Sequence, residues 1–277
     1  MTAWLGVAVF ILSVLALIYV YLISPRLTAP ADTEPILCDF AHRGLWTPRL
    51  PENSMSAFEL AARQGKGIEL DIQATRDGRI VVFHDDDLFR MCGVKRRVRD
   101  MTLAELRTLT LNGTRERIPT LAEVLRLVDG RVPLLIEIKG ERPDPALCRR
   151  LVDLLDGYRG AFAIEAFSPL ILGWFRKYRP SYARGQLVAV SRAYKSTGNL
   201  LLSLILSNML LNFISRPDFL AVNGRKRRNL GVLICRRAFN TPAFLWTVRS
   251  QNEQDTCRKA GYFTIFEKFL PKEDSKK

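Results

Sequence analysis

Histidine and cysteine are both scarce in this 277-residue chain, and each shortage narrows what the protein can be. The only two histidines, His42 and His84, leave few candidates for proton transfer near neutral pH. The five cysteines are odd in number, widely scattered and without paired spacing, so they suggest neither a disulfide framework nor a zinc site. This usage favours a reducing compartment for the folded domain.

Acidic residues are also in short supply. Lys and Arg total 42 against 28 Asp and Glu, a formal net charge of +14. Such a balance favours anionic partners, namely nucleic acid, an anionic membrane face or phosphate-bearing substrates, although a generally basic surface would carry it equally well. Because the sequence has no nucleic-acid motif and no basic stripe interleaved with aromatics, we expect no nucleic-acid partner.

Charge is absent from Ala3 to Ile23, where Leu, Ile, Val, Ala and Phe dominate. The run is long enough to cross a bilayer as a helix, and Trp4 and Tyr19 lie where interfacial aromatics are expected. A cleaved signal peptide is the rival interpretation, but no Lys or Arg precedes the run and no clear small-x-small site follows it. We therefore predict an uncleaved anchor over residues 1–25 in the cell membrane. Arg26 just after the span favours a cytoplasmic location for the folded domain.

Beyond the anchor, the sequence indicates one large domain. Residues 26–35 resemble a linker, residues 36–271 form the domain, and residues 272–277 are a charged tail. Within the domain, short apolar runs alternate with helical patterns. The predicted strands are Ile36–Ala41, Gly67–Gln73, Ile80–Phe83, Val132–Ile138, Phe162–Phe167, Arg184–Val190, Phe219–Val222, Gly231–Cys235 and Phe244–Val248.

Helices with recognisable starts lie between several of these strands. Thr102 with Glu105, and Thr120 with Glu123, each fit a capping box ahead of an apolar stripe. Strands separated by helices imply a parallel sheet. About eight units over ~240 residues predict a closed TIM (β/α)8 barrel, in the α/β class.

Three carboxylates lie inside otherwise apolar predicted strands. Side chains alternate along a strand, so Glu69 and Asp71 share one face, as do Glu137 and Lys139. Two carboxylates on one buried face repel each other unless a positive charge neutralises them or their pKa values rise. A divalent cation is the economical answer, since hard cations take carboxylate oxygens. An internal salt bridge of Glu137 with Lys139 or Arg43 is the alternative.

Both histidines come at the C-terminal end of a predicted strand, where TIM barrels build their active sites. One such histidine is more often structural than catalytic, but two at matching strand ends beside paired carboxylates point to chemistry. A neutral imidazole can accept a proton and an imidazolium can donate one. We therefore predict that His42 and His84 are an acid–base pair, and which of them starts as the base stays open.

These residues belong to an ordered series of motifs that resembles the glycerophosphodiester phosphodiesterase family, in its membrane-anchored bacterial form. The series is His42-Arg43-Gly44, Pro51-Glu52-Asn53-Ser54, Glu69-x-Asp71, Thr75-x-Asp77-Gly78, His84-Asp85, Ile118-Pro119-Thr120-Leu121, Glu137-Ile138-Lys139, Phe167-Ser168-Pro169 and Trp246-Thr247-Val248. Each motif alone is weak, but their order and spacing make the series specific. The resemblance implies a TIM barrel, a bound Mg2+ or Ca2+, and hydrolysis of a glycerophosphodiester to sn-glycerol 3-phosphate and an alcohol.

The resemblance also implies roles for particular residues. By position, the metal ligands are Glu69, Asp71 and Glu137 with Glu52 at or near the ion, the catalytic residues are His42 and His84, and the substrate-binding residues are Arg43, Lys139 and Trp246. Trp246 would form an apolar wall for the glycerol or alcohol, unless it only fills the barrel. The attacking oxygen could come from water or from the substrate's own glycerol hydroxyl through a cyclic phosphate.

The chain departs from the family pattern at Ala166, at Arg249 and at Phe266–Phe269, which bears on substrate preference more than on activity. Two other functions stay open. One is a phospholipase D-type cleavage of membrane lipid phosphodiesters, and the other is a catalytically silent basic membrane scaffold.

The segment Leu200–Ile214 is unusually apolar and too short for a comfortable membrane span. Basic residues flank it at Arg192, Lys195 and Arg216. It is either a buried barrel helix or an element that dips into the membrane beside the active-site mouth. In the second case, basic runs such as Arg225–Arg228 would attract anionic headgroups, and a lysophospholipid could enter from the bilayer.

Overall fold

The computed structural model describes residues 2–27, 34–191 and 198–272. Predictions on most of the linker, most of the tail, Arg192 and Lys195 lie outside these residues. Within the described residues, a long N-terminal helix precedes a β/α domain, as predicted.

The helices and strands follow one another in a β/α order along the described residues. The first half comprises α1 (Thr2–Ile23), β1 (Phe40–Ala41), α2 (Met55–Arg63), β2 (Gly67–Ala74), β3 (Ile80–Val82), β4 (Asp87–Leu88), α3 (Phe89–Cys92), β5 (Val94–Arg97), α4 (Leu103–Leu106), α5 (Leu121–Val128) and β6 (Leu134–Ile138). The second half comprises α6 (Pro145–Asp156), β7 (Phe162–Ala166), α7 (Pro169–Tyr178), β8 (Arg184–Val188), α8 (Leu200–Ser207), α9 (Asn212–Ser215), β9 (Phe219–Asn223), α10 (Leu230–Ala238), β10 (Ala243–Val248), α11 (Gln251–Lys259) and β11 (Phe263–Phe266).

Eight parallel strands close into a barrel. The order around it is β1, β2, β6, β7, β8, β9, β10 and β11, and β11 pairs with β1 to complete the ring. All eight strands point the same way, so their C-terminal ends form one face of the barrel, called here the catalytic face. The predicted TIM (β/α)8 barrel is confirmed.

Two strand predictions need correction. The predicted strand Gly231–Cys235 is wrong, because this segment lies in α10, where the Asn229 side chain caps the helix by accepting from the Gly231 and Val232 amides. Short apolar runs fit a buried helix as well as a buried strand. The eighth barrel strand is instead Phe263–Phe266, which the sequence analysis did not identify. The predicted strand at 80–83 forms β3, but β3 runs antiparallel to β2 and stands outside the ring.

The chain between β2 and α5 forms a separate layer on the catalytic face. Its side chains build a small apolar core of their own around Val81, Leu88, Val98 and Ile118. The capping box of Thr102 with Glu105 starts α4 in this layer, and that of Thr120 with Glu123 starts α5. Both predicted capping boxes are confirmed.

The barrel interior has an aromatic floor. Phe40, Phe219 and Phe244 are almost fully buried within it, and the Phe244 ring contacts each of the other two edge to face. Gly185 makes this packing possible, because a Cβ there would lie 2.0 Å from the Phe219 ring. Apolar side chains fill the barrel at the start of the strands. The polar side chains of the site, at the other end, therefore rest on a base that excludes water and has a low dielectric constant.

Among the described residues, helix α1 packs against the barrel through its last turns. Over Trp4–Ile23 it is long and apolar enough to cross a bilayer, and almost all of this stretch is exposed. Ile23 is the exception, since its side chain is fully buried in the main core. Arg216 fixes this end by donating to the Tyr21 and Ser24 carbonyls.

Candidate active site

Buried carboxylates form a layer above the aromatic floor. In the sheet register, Asp71 lies beside Glu137, and Glu137 lies beside Glu165, on three adjacent strands. Glu69 stands one step below Asp71 on the same face of β2. Because the neighbours Ile68 and Leu70 pack outwards, the alternation predicted for β2 is confirmed.

The three predicted ligands Glu69, Asp71 and Glu137 converge. One carboxylate oxygen from each lies within 4.8 Å of the other two, and all three residues are buried. Three convergent carboxylates are the donor set that a hard divalent cation takes. The residues therefore fit a Mg2+ or Ca2+ ion.

Two basic side chains enter the same cluster. Lys139 Nζ lies 2.7 Å from Asp71 and 2.6 Å from Glu137. Arg43 contacts Asp71 at 3.5 Å, and its backbone amide donates to Glu69. The salt bridge of Glu137 with Lys139 is thus present, but it leaves more buried acids than bases in the layer once Glu165 is included.

The pKa values in the layer respond to this imbalance. Burial raises the pKa of Glu69 well above its usual range, and repulsion from Asp71, Glu165 and Glu137 adds to the effect. Burial acts on Asp71 in the same direction, but Lys139 and Arg43 outweigh it and hold the Asp71 pKa well below its usual range. Repulsion of this kind is what an added cation would relieve.

His42 lies on a sharp turn after β1. Gly44 adopts φ +80°, and a Cβ there would come within 3.0 Å of Ala57 and Phe58, so only glycine fits. The turn brings His42 Nε2 to 4.0 Å from Glu69, while Nδ1 lies 2.7 Å from Glu267 at the end of β11.

Glu267 sets the state of His42. Burial opposes ionisation of Glu267, but hydrogen bonds from His42 and the charge of Arg249 lower its pKa to about 2. A carboxylate can only accept, so His42 Nδ1 donates and Nε2 stays available on the cavity side. Burial lowers the pKa of His42, and Glu267 counteracts part of that effect.

His84 is held in a parallel manner. Its Nδ1 lies 2.6 Å from the Asp85 carboxylate. Burial opposes ionisation of Asp85, but the hydrogen bonds from His84 and Arg90 outweigh it and lower its pKa. Both imidazoles therefore present Nε2 and are oriented through Nδ1 by a carboxylate.

One cavity of about 600 Å³ contains both histidines and most of the predicted residues. Arg43, Glu52, Glu69, Glu137 and Trp246 line it together with His42 and His84. The Trp246 indole donates to the Ala221 carbonyl and packs edge to face against Phe167. The ring thus forms part of the cavity wall and also packs on the apolar cluster inside the barrel, and its contact with substrate stays a prediction.

Glu52 has contacts of a different kind. Its carboxylate lies 2.7 Å from Arg43 and 2.6 Å from Arg90, and it is absent from the convergent group of three carboxylates. Burial opposes its ionisation, but the two arginines outweigh this and lower its pKa. Among the described residues, Glu52 therefore orients Arg43, and its role near an ion stays a prediction.

Several residues of the site were not predicted from the sequence. Glu165 faces the cavity, its buried Oε2 has no hydrogen-bond partner among the described residues, and burial raises its pKa well above the usual range. An acid inside the apolar strand β7 was the same signal that identified Glu137. The Asn53 amide donates to Asp71 from the turn before α2. For Glu267 the sequence offers no local signal.

Comparison with known proteins agrees with this geometry. The profile of the Glycerophosphoryl diester phosphodiesterase family matches residues 42–268. The chain belongs to this family. The matched range contains every predicted site residue and all barrel strands except β1, which ends just before it.

Two relatives carry the name glycerophosphodiester phosphodiesterase. The protein of Caldanaerobacter subterraneus subsp. tengcongensis is 43% identical over 158 residues, which cover 53% of this chain and 65% of the relative. That of Bacillus altitudinis is 43% identical over 107 residues, covering 36% and 43%. The chain thus spans less than two thirds of the length of either relative.

Solved structures of two phosphodiesterases share the barrel. A phosphodiesterase of Oleispira antarctica in complex with the product sn-glycerol-3-phosphate superposes with a TM-score of 0.67, at 22% identity, over 83% of this chain and 92% of that one. A glycerophosphodiester phosphodiesterase of Thermotoga maritima gives 0.65 at 24% identity, over 83% and 94%.

Proposed function

We propose that this protein is a membrane-anchored, divalent-metal-dependent phosphodiesterase that hydrolyses glycerophosphodiesters to sn-glycerol 3-phosphate and an alcohol. The observation that carries the proposal is the convergence of Glu69, Asp71 and Glu137 beside a cavity that Glu69 and Glu137 line together with two carboxylate-oriented histidines. Family membership agrees with this chemistry.

Each predicted residue has a part in the proposed reaction. When bound by Glu69, Asp71 and Glu137, a Mg2+ or Ca2+ ion would polarise the phosphoryl group. Arg43 and Lys139 would oppose the negative charge that develops on the phosphoryl oxygens. The Trp246 ring would contact the glycerol or alcohol.

The histidines divide the proton transfers. One imidazole takes a proton from the attacking hydroxyl through Nε2, and the other gives a proton to the leaving oxygen. The carboxylates of Glu267 and Asp85 stabilise whichever imidazole is protonated. Water and the substrate's glycerol hydroxyl both remain candidates for the attacking group.

Turnover of defined substrates tests the proposal. Full-length protein in detergent is supplied with glycerophosphodiesters and Mg2+ or Ca2+, and the products are identified. We expect His42→Ala, His84→Ala and Glu69→Ala each to lower turnover by at least ~100-fold with the fold intact. Chelation of divalent cations should stop turnover, and adding back the preferred ion should restore it.

A matched pair of substitutions serves as the control. Asp71→Asn removes one charge from the carboxylate layer, whereas Asp153→Asn makes the same change on the exposed face of α6. We expect the first to be inactive and the second to be normal. Near-normal rates in any of the three alanine variants would refute the role given to that residue.

A lysophospholipid is a second candidate substrate, cleaved in the manner of a phospholipase D. A groove of about 680 Å³ is lined both by His84, Glu137 and Lys139 and by Leu202 and Leu206 of α8. Such a groove suits a headgroup phosphate with an attached acyl chain. A product assay separates the two activities. The lysophospholipid would yield a phosphorylated lipid, whereas the soluble diester would yield glycerol phosphate.

We also propose that α1 is an uncleaved single-pass anchor and that the barrel is cytoplasmic. Arg26 follows the span and no Lys or Arg precedes it, which supports this orientation because cytoplasmic flanks carry an excess of positive charge. Protease digestion of inside-out against right-side-out membrane vesicles tests this orientation.

A further inference from the structure

Helix α8 buries polar side chains and exposes apolar ones, the reverse of a helix on a surface in water. Its buried residues are Ser203 and Ser207, whereas Leu200, Leu201 and Leu204 are 73, 66 and 45% exposed. The serines are satisfied locally, because Ser203 donates to the Asn199 carbonyl and Ser207 to that of Leu204. A helix of a water-soluble surface points its apolar side inwards. The outer side of α8 therefore fits an apolar medium.

The direction of α1 indicates where that medium lies. The Tyr19 side chain packs against Gly231 at the start of α10, where a Cβ added to Gly231 would lie 3.2 Å from Tyr19 Oη. Ile23 O accepts from Cys235 further along α10, and the Arg26 amide donates to the carbonyl of Pro217, two residues before β9. Helix α10 starts at the catalytic face, and β9 starts at the opposite face. Successive residues of α1 therefore run alongside α10 from the catalytic face towards the opposite face.

The free part of α1 thus leaves the barrel on the catalytic side. Residues 4–18, which are exposed, would extend roughly 20 Å beyond the packed turns in that direction. Helix α8 follows β8, so it also lies at the C-terminal ends of the strands, next to α9, which α1 contacts. The exposed leucines of α8 and the exposed apolar residues of α1 are on the same side of the molecule.

Charge on this sector suits an anionic surface. Residues 166–252 contain a single acidic residue, Asp218, and it lies at the opposite end of the barrel, before β9. On the catalytic side, the segment after β9 exposes Arg225, Arg227 and Arg228 and ends at Leu230, which is 62% exposed. Basic side chains beside exposed leucines are typical of a surface that contacts lipid headgroups and the acyl layer below them.

From these observations we infer that the catalytic face is turned towards the bilayer entered by α1, with Leu200, Leu201 and Leu204 seated in the lipid. The groove of α8 then connects the membrane directly to His84 and Lys139. The substrate is a phosphodiester lipid taken from the bilayer, and this last step rests on the proposed function.

Site-directed fluorescence tests the orientation without requiring turnover. In full-length protein with the partly exposed Cys38 and Cys92 changed to Ser, a single cysteine is introduced by Leu201→Cys and labelled with an environment-sensitive dye. The matched control is Tyr178→Cys at the C-terminal end of α7, a side chain 48% exposed on the opposite side of the barrel. Both proteins are reconstituted into vesicles of phosphatidylcholine and phosphatidylglycerol that contain a nitroxide-labelled lipid.

We expect the dye at position 201 to show a blue-shifted emission and at least twofold quenching by the nitroxide lipid, and the dye at position 178 to remain aqueous and unquenched. An aqueous, unquenched dye at position 201 would overturn the inference.

A kinetic comparison tests the route of the substrate. We expect the variant Leu200→Ser/Leu201→Ser/Leu204→Ser to lose at least tenfold in kcat/KM on vesicle-embedded lysophospholipid, and to stay within twofold on a soluble glycerophosphodiester. Tyr178→Ser should change neither rate. Equal rates of the triple variant and the unmodified protein on the vesicle substrate would refute delivery from the bilayer. An absence of turnover on both substrates in the unmodified protein would contradict the proposed function alone, since the fluorescence result decides the orientation.

Discussion

At the scale of single residues, the site depends on carboxylates that act through another group. Glu267 and Asp85 do not belong to the convergent group of Glu69, Asp71 and Glu137 found among the described residues, but each holds one imidazole by its Nδ1. Their lowered pKa values keep them ionised at neutral pH, so both imidazoles keep Nε2 directed away from the carboxylate that holds them. These acids are positioning residues, and their removal should alter proton transfer more than binding.

Glu267→Gln tests this role through the pH profile. Because Glu267 raises the pKa of His42 against the effect of burial, its loss should lower that pKa further. We expect the limb of the kcat/KM profile that reports His42 to move to lower pH, and the maximal rate to fall about tenfold to a hundredfold. The measurement is kcat/KM on a soluble glycerophosphodiester from pH 5 to pH 9, at roughly constant ionic strength and temperature.

Glu34→Gln is the control for that variant, since it makes the same change at an exposed position before β1, whereas His42 follows β1. Its profile should match that of the unmodified protein. A variant at position 267 with reduced rate but an unshifted limb would show that Glu267 acts only on stability.

At the scale of elements, the capping boxes show how local sequence fixes a boundary. In α5, the Thr120 side chain accepts from the Glu123 amide, and the Glu123 carboxylate accepts from the Thr120 amide. Arg107 adds two hydrogen bonds to the same carboxylate, at 2.6 and 2.7 Å. Burial opposes ionisation of Glu123, but these donors lower its pKa to about 2.

The effect of Glu123 on stability should therefore depend on pH. A carboxyl with a lowered folded pKa stabilises the fold fully above its unfolded value of 4.5, and this contribution disappears as the pH falls through about 2. We expect Glu123→Gln to cost about 1 kcal/mol at pH 7, or a Tm lower by roughly 2–4 °C. The Tm difference should shrink between pH 4.5 and pH 2. Thermal unfolding in detergent measures it.

Glu116→Gln is the matched control, because its carboxylate makes no hydrogen bond with the described residues. It should leave the Tm within about 1 °C at every pH. A loss in Glu123→Gln that is the same at pH 2 and pH 7 would contradict the assignment.

At the scale of the whole molecule, α1 is part of the packed fold as well as the proposed membrane anchor. Ile23 is fully buried, Ser24 and Pro25 are buried beside it, and Asn212 and Cys235 donate to the Ile23 carbonyl. The proposed anchor over residues 1–25 stays a prediction, and its last turns pack as core.

Two truncations measure this contribution. Deleting residues 1–17 keeps Tyr19 and Ile23 in contact with the barrel, whereas deleting residues 1–25 removes both and opens the space that Ile23 fills. We expect the shorter deletion to be more stable by about 2–5 kcal/mol, the usual cost of emptying a large apolar site. Denaturant unfolding of the two proteins gives the difference. Equal free energies of unfolding would show that the contact of α1 with the barrel contributes nothing.

The sequence by itself determined what is local or periodic. The two-residue period of strands put Glu69 and Asp71 on one face, the capping boxes started α4 and α5, and the ordered motifs gave the family and the barrel. It did not distinguish strand from helix at Gly231–Cys235, because a short apolar run satisfies both.

Only the tertiary structure decided which distant residues meet. Glu267 reaches His42 across 225 positions of the chain, because β11 closes the barrel beside β1. Glu165 joins the carboxylate layer through the register of β6 and β7. The outward leucines of α8 and the direction of α1 likewise follow from packing between elements, since no local pattern states which side of a helix a neighbour will cover.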